Sequence, residues 1–539
     1  MRKVWLQPKM TLSSLRERLD LNLVLVVLAS VFSFAPLTYP GYFQSHSGFL
    51  PVFNLYDLES GLWRNWGWLP HVATGPLQLS GEGALPYLLA AALRWLALSG
   101  PQAIKAIYLL GLVTSGLAMY VLGKRLFGAT AGLLAALVYI YLPFHLATVY
   151  VRGAFAEAWA FALYPLLLLC WQRYLSNFSI LWAALAVVAY CALATTVLGL
   201  ALLLAIPILA VVLVFSPSPR TKRSGFLILV LSVCLGLLFQ IPSLLRYGMP
   251  TLSEGDFAQH FVYPFQLLSA AWGYGASVPG WQDSMPFQLG LAATGLALMT
   301  GVLLSRGRGA RGRLASLVCF LGGGALAAVF LMLPASAFFW RASHLSLLLR
   351  YPWQLLAFAG LAISLLAGAA VSLAPQLGRL PWQAVLVTLV VLSSYSYLSP
   401  QFTDLQVGGA PVAVFGDRVL LLSYQLEGPL VHGATVHLTL NWQSIAQLSE
   451  DYTVFAHIVD NDGAIWAQCD SAPGGSERST SSWIPGEIFQ DDCEMTIDVG
   501  GPREGYIVQV GLYESTTGTR LTLPDGRTAV ILEWGVDAG

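Results

Sequence analysis

Apolar runs broken by short polar connections fill the first 400 residues of this 539-residue chain, and beyond Pro400 they give way to short alternating stretches. A helix needs about 20 apolar residues to cross the hydrocarbon core of a bilayer. Runs of that kind fall near 21–38, 104–122, 129–147, 157–175, 179–195, 197–215, 225–244, 287–305, 314–334, 353–373 and 383–399. The pattern therefore predicts about eleven transmembrane helices. The apolar stretch 84–98 is shorter, follows Gly83 and contains Pro86 and Arg94, so it is expected to lie along the outer membrane surface. After Pro400, strands are expected at 435–442, 452–460, 464–470, 493–499, 506–514 and 528–534, with Asp460-Asn461-Asp462-Gly463 as a hairpin turn. Short strands at this spacing predict an all-β sandwich of roughly seven or eight strands.

Charge orients the helices. Arg2, Lys3, Lys9, Arg16 and Arg18 precede the first run. Lys124, Arg125, Arg173, Arg220, Lys222, Arg223, Arg306, Arg308, Arg311, Arg313 and Arg379 fall in every second connection after it. These segments hold 16 basic and 2 acidic residues, whereas the alternate connections and their edges hold 7 of each. By the positive-inside rule residues 1–20 are expected in the cytoplasm. An odd number of crossings then places residues 400–539 outside a bacterial plasma membrane. That last segment has 19 Asp and Glu against 5 Lys and Arg, so the net charge of zero averages two unlike parts. The long N-terminal flank, with no small-residue cleavage site after the first run, reads as a retained signal-anchor. The chain is 56% hydrophobic and 10% charged, which excludes a soluble protein, and no basic stripe interleaved with aromatics points to nucleic acid.

Two outward connections are long, 39–103 and 245–286, while the basic ones are brief. Neither an inverted repeat nor charge within the spans suggests a transporter. The working surface is expected to face outward. Cys170, Cys191, Cys234 and Cys319 lie in apolar segments; Cys469 and Cys493 are the two in the polar segment, where an extracytoplasmic location permits a disulfide. No metal-ligand spacing such as CxxC or HExxH occurs, so no metal or cofactor is expected.

Candidate chemistry lies in the outward loops. The first carries His46, Asp57, Glu59, Arg64 and His71 among Trp, Tyr and Phe, and a carboxylate between aromatic walls can serve as a general base. The next carries Arg152 before a helix whose first turn holds Glu157, where the helix dipole favours an anion; Arg152 can hold a phosphate. The second long loop brings Glu254, Asp256, His260 and Asp283, and the late loop Arg341, His344 and Arg350. Arginines at that depth suit a lipid-linked phosphate and equally suit headgroup snorkelling. In the polar segment, Trp466 and Trp483 are candidates for a carbohydrate-binding surface, with calcium as an alternative ligand for the acidic residues.

Four motifs carry a family resemblance across residues 20–400: SHSGFL at 45–50, YVRGAFAE at 150–157, HFVYPFQLLSAAWGYG at 260–275 and LRYPWQLL at 349–356. With them the chain resembles the bacterial membrane proteins called 6-pyruvoyl-tetrahydropterin synthase-related, a label that names a domain family and implies no pterin chemistry. Among membrane proteins with a large first outer loop these resemble GT-C-type glycosyltransferases. The segment 480–492 similarly resembles a turn in sandwich domains appended to such enzymes. The resemblance implies a GT-C-like, multi-span α-helical membrane protein with a C-terminal extracytoplasmic all-β sandwich. It further implies transfer of a sugar from a polyprenyl-phosphate donor to a glycan or protein acceptor on the outer face. Catalytic expectations are Asp57 or Glu59 as base, with His46 beside them; substrate-binding expectations are Arg152, Glu157, His260, Arg341 and Arg350.

The chain departs from the family pattern in three places. The acidic residue after the first-loop His is Ser47, the Arg after the Pro-Trp of the late loop is Gln354, and a His-Asn pair of a middle span is replaced around Thr195-Thr196. Either Asp57 or Glu59 substitutes for the missing base, or the chain is a catalytically decayed relative whose sandwich binds glycan or a partner.

Overall fold

The structure is a computed structural model that describes residues 20–61, 83–239, 241, 256–269, 273–275, 277–307, 312–403, 411–416, 418–445, 448, 450–473, 479–483, 488–523 and 525–532. The basic N-terminal cluster, Arg64, His71 and Glu254 lie outside the described residues, as do the side chains of Asp57 and Asp256.

Up to Leu398 the described elements are helices apart from one two-residue strand, and from Phe402 onward they are mainly strands. Among the described residues, seven helices are long and apolar enough to cross a membrane: Leu21–Thr38, Gly100–Phe127, Phe155–Asn177, Leu198–Phe215, Pro219–Leu238, Arg313–Met332 and Pro352–Leu373. The pair Ala129–Ile140 and Pro143–Tyr150 makes an eighth if it is one span, bent by 42° where Pro143 cannot donate the backbone hydrogen bond of a continuous helix. By length and composition the expected count of eleven spans is not confirmed among the described residues. Those near 179–195, 287–305 and 383–399 are the helices Ile180–Ala194, Leu291–Ser305 and Leu380–Leu392, of 15, 15 and 13 residues. At 1.5 Å per residue they measure about 20–22 Å, short of a hydrocarbon core of about 30 Å. The stretch 84–98 contains a helix of only ten residues, Leu85–Arg94, that buries Tyr87 and Ala90 and leaves Trp95 beyond it 90% exposed.

Small residues set the helix packing. A Cβ on Gly132 would lie 2.5 Å from the Lys124 nitrogen and 2.7 Å from the Tyr120 carbonyl, so glycine there lets two helices close on each other. Gly128, at φ +100°, turns the chain between them. Basic residues collect at this end of the bundle. Lys124 and the Tyr120 hydroxyl both reach Asp20, at 2.5 and 2.6 Å, and Arg220 lies over the Phe178 ring.

The polar segment is two packed antiparallel sheets. Eight strands are β3 (Ala413–Phe415), β4 (Val419–Glu427), β5 (Thr435–Ser444), β6 (Tyr452–Val459), β7 (Ile465–Ser471), β8 (Ile488–Thr496), β9 (Ile507–Glu514) and β10 (Val530–Leu532). One sheet runs β3-β4-β5-β8 and the other β10-β9-β6-β7. Alternation puts Val436, Leu438, Leu440 and Trp442 of β5 into the core between them. The disulfide that the sequence permits is present: Cys469 on β7 and Cys493 on β8, with Cα atoms 6.4 Å apart, join the edges of the two sheets. The hairpin at Asp460–Gly463 is present too, its carboxylate accepting the Ala464 N–H and the Trp466 indole N–H. The opposite face of the first sheet turns toward the helices, where Val414, Leu420 and Ile445 join the helical core.

A further pair of two-residue strands, β1 (Tyr42–Phe43) and β2 (Phe402–Thr403), ties the first long loop to the start of the strand domain.

Candidate active site

Four loops meet at the end of the bundle that carries the strand domain. The first is held at both flanks. Lys105, nearly buried at the start of its helix, donates from Nζ to the carbonyls of Tyr39 and Gly41 at 2.7 and 2.8 Å. Further on, the Phe49 N–H donates to the Ile445 carbonyl at 3.0 Å. Between these anchors the loop lies against residues 151–153. The His46 N–H donates to Val151 O at 2.8 Å, and both the N–H and the hydroxyl of Ser47 donate to Arg152 O, at 3.1 and 2.9 Å. The approach is close enough to require Gly153. It sits at φ +64°, and a Cβ there would lie 2.2 Å from Ser45 Oγ.

This backbone zipper aims His46 at the second long loop, where Nε2 lies 2.8 Å from Tyr274 O. A carbonyl only accepts, so Nε2 carries the proton and Nδ1 of the neutral ring keeps its lone pair. Burial holds the imidazole below its usual pKa. The Arg152 charge acts in the same direction, while the Tyr274 carbonyl and Asp283 oppose it. His46 is therefore neutral and basic near pH 7.

Beside it, Arg152 pairs with Glu157, both side chains being less than 15% exposed. The Arg152 guanidinium lies 4.6 Å from the Trp353 ring centre and 5.7 Å from that of Phe144. Gln354, almost fully buried, donates from Nε2 to Glu157 Oε1 at 2.9 Å and accepts the Tyr351 N–H at 3.2 Å. The position expected to be Arg thus contributes a neutral donor. One arginine and one glutamate leave this trio uncharged, so the Arg152 charge is met by Glu157.

A second network lies on the far side of Trp353. The Ser277 hydroxyl donates to Asp283 Oδ2 at 2.7 Å. With its proton used, its oxygen accepts the Trp353 indole N–H at 3.2 Å and His260 Nδ1 at 2.8 Å. That arrangement places a proton on His260 Nδ1. Asp283, nearly buried, also accepts the Met285 N–H. Tyr351 packs between, stacked on Trp353 and 4.6 Å from the His260 ring.

The structure thus gathers His46, Arg152, Glu157 and His260 around Trp353 and Gln354. Glu59 pairs instead with Arg94 of the short surface helix, at 2.6 Å. Arg341 and Arg350 are exposed on the late loop, Arg350 over the Tyr351 ring at 5.1 Å. Thr195 and Thr196 lie in a break between helices, where their carbonyls accept the N–H groups of Leu85 and Gly83. Trp483 cannot offer a carbohydrate platform, being 1% exposed and stacked on Phe489. Trp466 is held by Asp460, and Gly501 lies against its ring. Lys105, Ser277 and the Tyr274 carbonyl are contributors that sequence reasoning missed. Lys105 had a signal, a lone charge at the edge of an apolar run; a serine and a carbonyl have none. Among the described residues, no three His, Cys, Asp or Glu side chains come together as metal ligands.

Beneath these loops a crevice of about 640 Å³ opens between the helices, lined almost wholly by apolar side chains. Leu331, Leu355 and Phe358 line it at the loop end. The late loop begins just above, the Trp340 indole N–H donating to Leu331 O at 2.8 Å, with the exposed Arg341 next in sequence.

A helical membrane bundle whose loops build a polar cluster under a β-sandwich defines the class of protein. The sequence profile of the 6-pyruvoyl-tetrahydropterin synthase related domain, described as a membrane protein, matches residues 83–403. The chain belongs to that family. Similar solved structures include the arabinofuranosyltransferase AftD from mycobacteria, at 16% identity and a TM-score of 0.45, covering 71% of this chain and 27% of that one. ArnT from Cupriavidus metallidurans, bound to undecaprenyl phosphate, gives 16% identity and a TM-score of 0.39, covering 65% of this chain and 59% of ArnT. An oligosaccharyltransferase from Archaeoglobus fulgidus gives 16% and 0.37, covering 70% and 52%. This chain thus spans between about a quarter and three fifths of their lengths. Comparison with curated proteins gave no match.

Proposed function

We propose that the protein is a GT-C-type glycosyltransferase that takes a sugar from a polyprenyl-phosphate donor. The observation that carries the reading is the meeting of the apolar crevice with the polar loops at Leu331 and Leu355. A hydrocarbon tail suits the crevice, and Arg341 and Arg350 suit the phosphate above it. His46 Nδ1 takes the proton from the acceptor hydroxyl as its oxygen attacks the anomeric carbon. The bond to the lipid phosphate breaks, and the arginines receive the charge that develops on the leaving group. Glu59, already paired with Arg94, is the weaker base, and Asp57 is the alternative. The Arg152–Glu157–Gln354 trio shapes the cavity wall, and His260 lines the acceptor side. By the positive-inside rule the basic end lies in the cytoplasm and the site and strand domain outside the plasma membrane.

The test is sugar transfer by purified protein given polyprenyl-phosphate sugars and a cell-envelope glycan extract. A general base contributes typically 10²–10⁴-fold. His46→Gln should therefore lower the rate by at least about 100-fold, while Glu59→Gln stays within about threefold. Full activity of His46→Gln removes His46 as base and passes the role to Asp57.

A second reading has specific support. Ser47 spends its hydroxyl on a backbone carbonyl, and Gln354 leaves the central trio uncharged. Both fit a scaffold that binds a glycan without transferring it. Saturable glycan binding without turnover, across several donors, would select that reading.

A further inference from the structure

The crevice is longer than a lipid held at one face requires. Its lining on the helix Arg313–Met332 runs from Leu331 to Arg313, 18 residues or about 27 Å, close to a whole hydrocarbon core of about 30 Å. That helix buries few residues, Val318, Ala325, Ala328 and Met332. Midway along it stand Gly322, Gly323 and Gly324, and a Cβ on any of them would meet nothing within 4 Å. No neighbouring helix explains three glycines, which are among the poorest helix formers. Their missing side chains widen the crevice, which Gly323 and Gly324 line.

The far end of the crevice has polar groups of its own. Arg313 and Gln172 line it there, and Ser216 follows the lining residue Phe215. The atoms Gln172 Oε1 and Ser216 Oγ are buried with no hydrogen-bond partner among the described residues. Arg313 opens its helix, so the N-terminal backbone N–H groups add to its preference for an anion. This end of the bundle also gathers Lys124, Arg125, Arg173 and Arg220, a field that attracts anionic headgroups.

We propose that this end is a second lipid site, taking an anionic glycerophospholipid from the leaflet at the basic end. Its acyl chain lies in the lower crevice and its phosphate meets Arg313. Ser216 donates to a phosphate oxygen, and Gln172 Oε1 accepts a headgroup hydroxyl. The site does not depend on the transferase reading, because neither its residues nor its ligand take part in sugar transfer.

Native mass spectrometry of the full chain in mild detergent tests it, with phosphatidylglycerol and phosphatidylcholine added in turn. The expected result is one phosphatidylglycerol per chain, retained at least tenfold better than phosphatidylcholine. Arg313→Gln should lower that retention at least tenfold, and Arg313→Lys should restore most of it. Gly324→Leu, whose Cβ would meet nothing within 4 Å and whose side chain adds bulk to the crevice lining, should also expel the lipid. Equal retention of the two phospholipids, or undiminished phosphatidylglycerol in Arg313→Gln, overturns the proposal. So does displacement of phosphatidylglycerol by one equivalent of added polyprenyl phosphate, which would make the whole crevice a single donor site.

Discussion

His46 titrates below the ordinary imidazole value of about 6.5 because its loop is buried against residues 151–153. The folded loop therefore binds fewer protons than the unfolded chain. The stability it contributes is complete above about pH 6.5 and is lost as the pH falls through the lowered value. Transfer should show an acid limb at the same place, and hydrogen exchange at residues 44–49 should speed up over that range. An acid limb that persists unchanged in His46→Gln would assign the titration elsewhere. Gly153→Ala should destabilise this end by about 1–3 kcal/mol in thermal unfolding, since it combines a left-handed backbone with a contact to Ser45. Gln354→Arg restores the family residue, giving Glu157 two cations and the trio a net positive charge. Polyprenyl phosphate should then bind more tightly by titration, and unchanged affinity would place the phosphate away from Trp353.

At the scale of elements, the disulfide between β7 and β8 closes a loop of sequence separation 24. In the chain-entropy view that contributes about 3 kcal/mol. Cys469→Ser should lower the strand domain's unfolding free energy by about that amount, and reductant should act on the wild type but not on the variant. This pair was legible in the sequence because two cysteines stood alone in the polar segment. Strands β5, β6, β7 and β9 were legible from alternation. By contrast β3 and β4 were not: the run VLLLSYQLE in β4 packs one face on β5's core and the other on the helices, so the alternation is lost. The start of β8, IFQDD, is obscured by its charges, although Asp491 is buried. The helical segments were legible from hydropathy, and most of their lengths as well; the runs near 287–305 and 383–399 include loop residues beyond the helices Leu291–Ser305 and Leu380–Leu392. Of the site, His46, Arg152, Glu157 and His260 could be named from loop chemistry. The pairing of Glu59 with Arg94 could not, because it depends on a short helix folding back on its neighbour.

For the molecule as a whole, the strand domain shares a hydrophobic core with the bundle and contributes directly to the loop that presents His46. Tyr42–Phe43 pair with Phe402–Thr403, and Phe49 bonds to Ile445. The docked domain therefore helps to hold the first outward loop in place. The most direct test is mass spectrometry of the lipids that copurify with the protein in mild detergent, comparing wild type with Arg341→Gln/Arg350→Gln. The account predicts a polyprenyl phosphate or its sugar-bearing form on the wild type and its loss from the double variant. Bulk phospholipid alone on the wild type, even after polyprenyl-phosphate sugar is added, would contradict it.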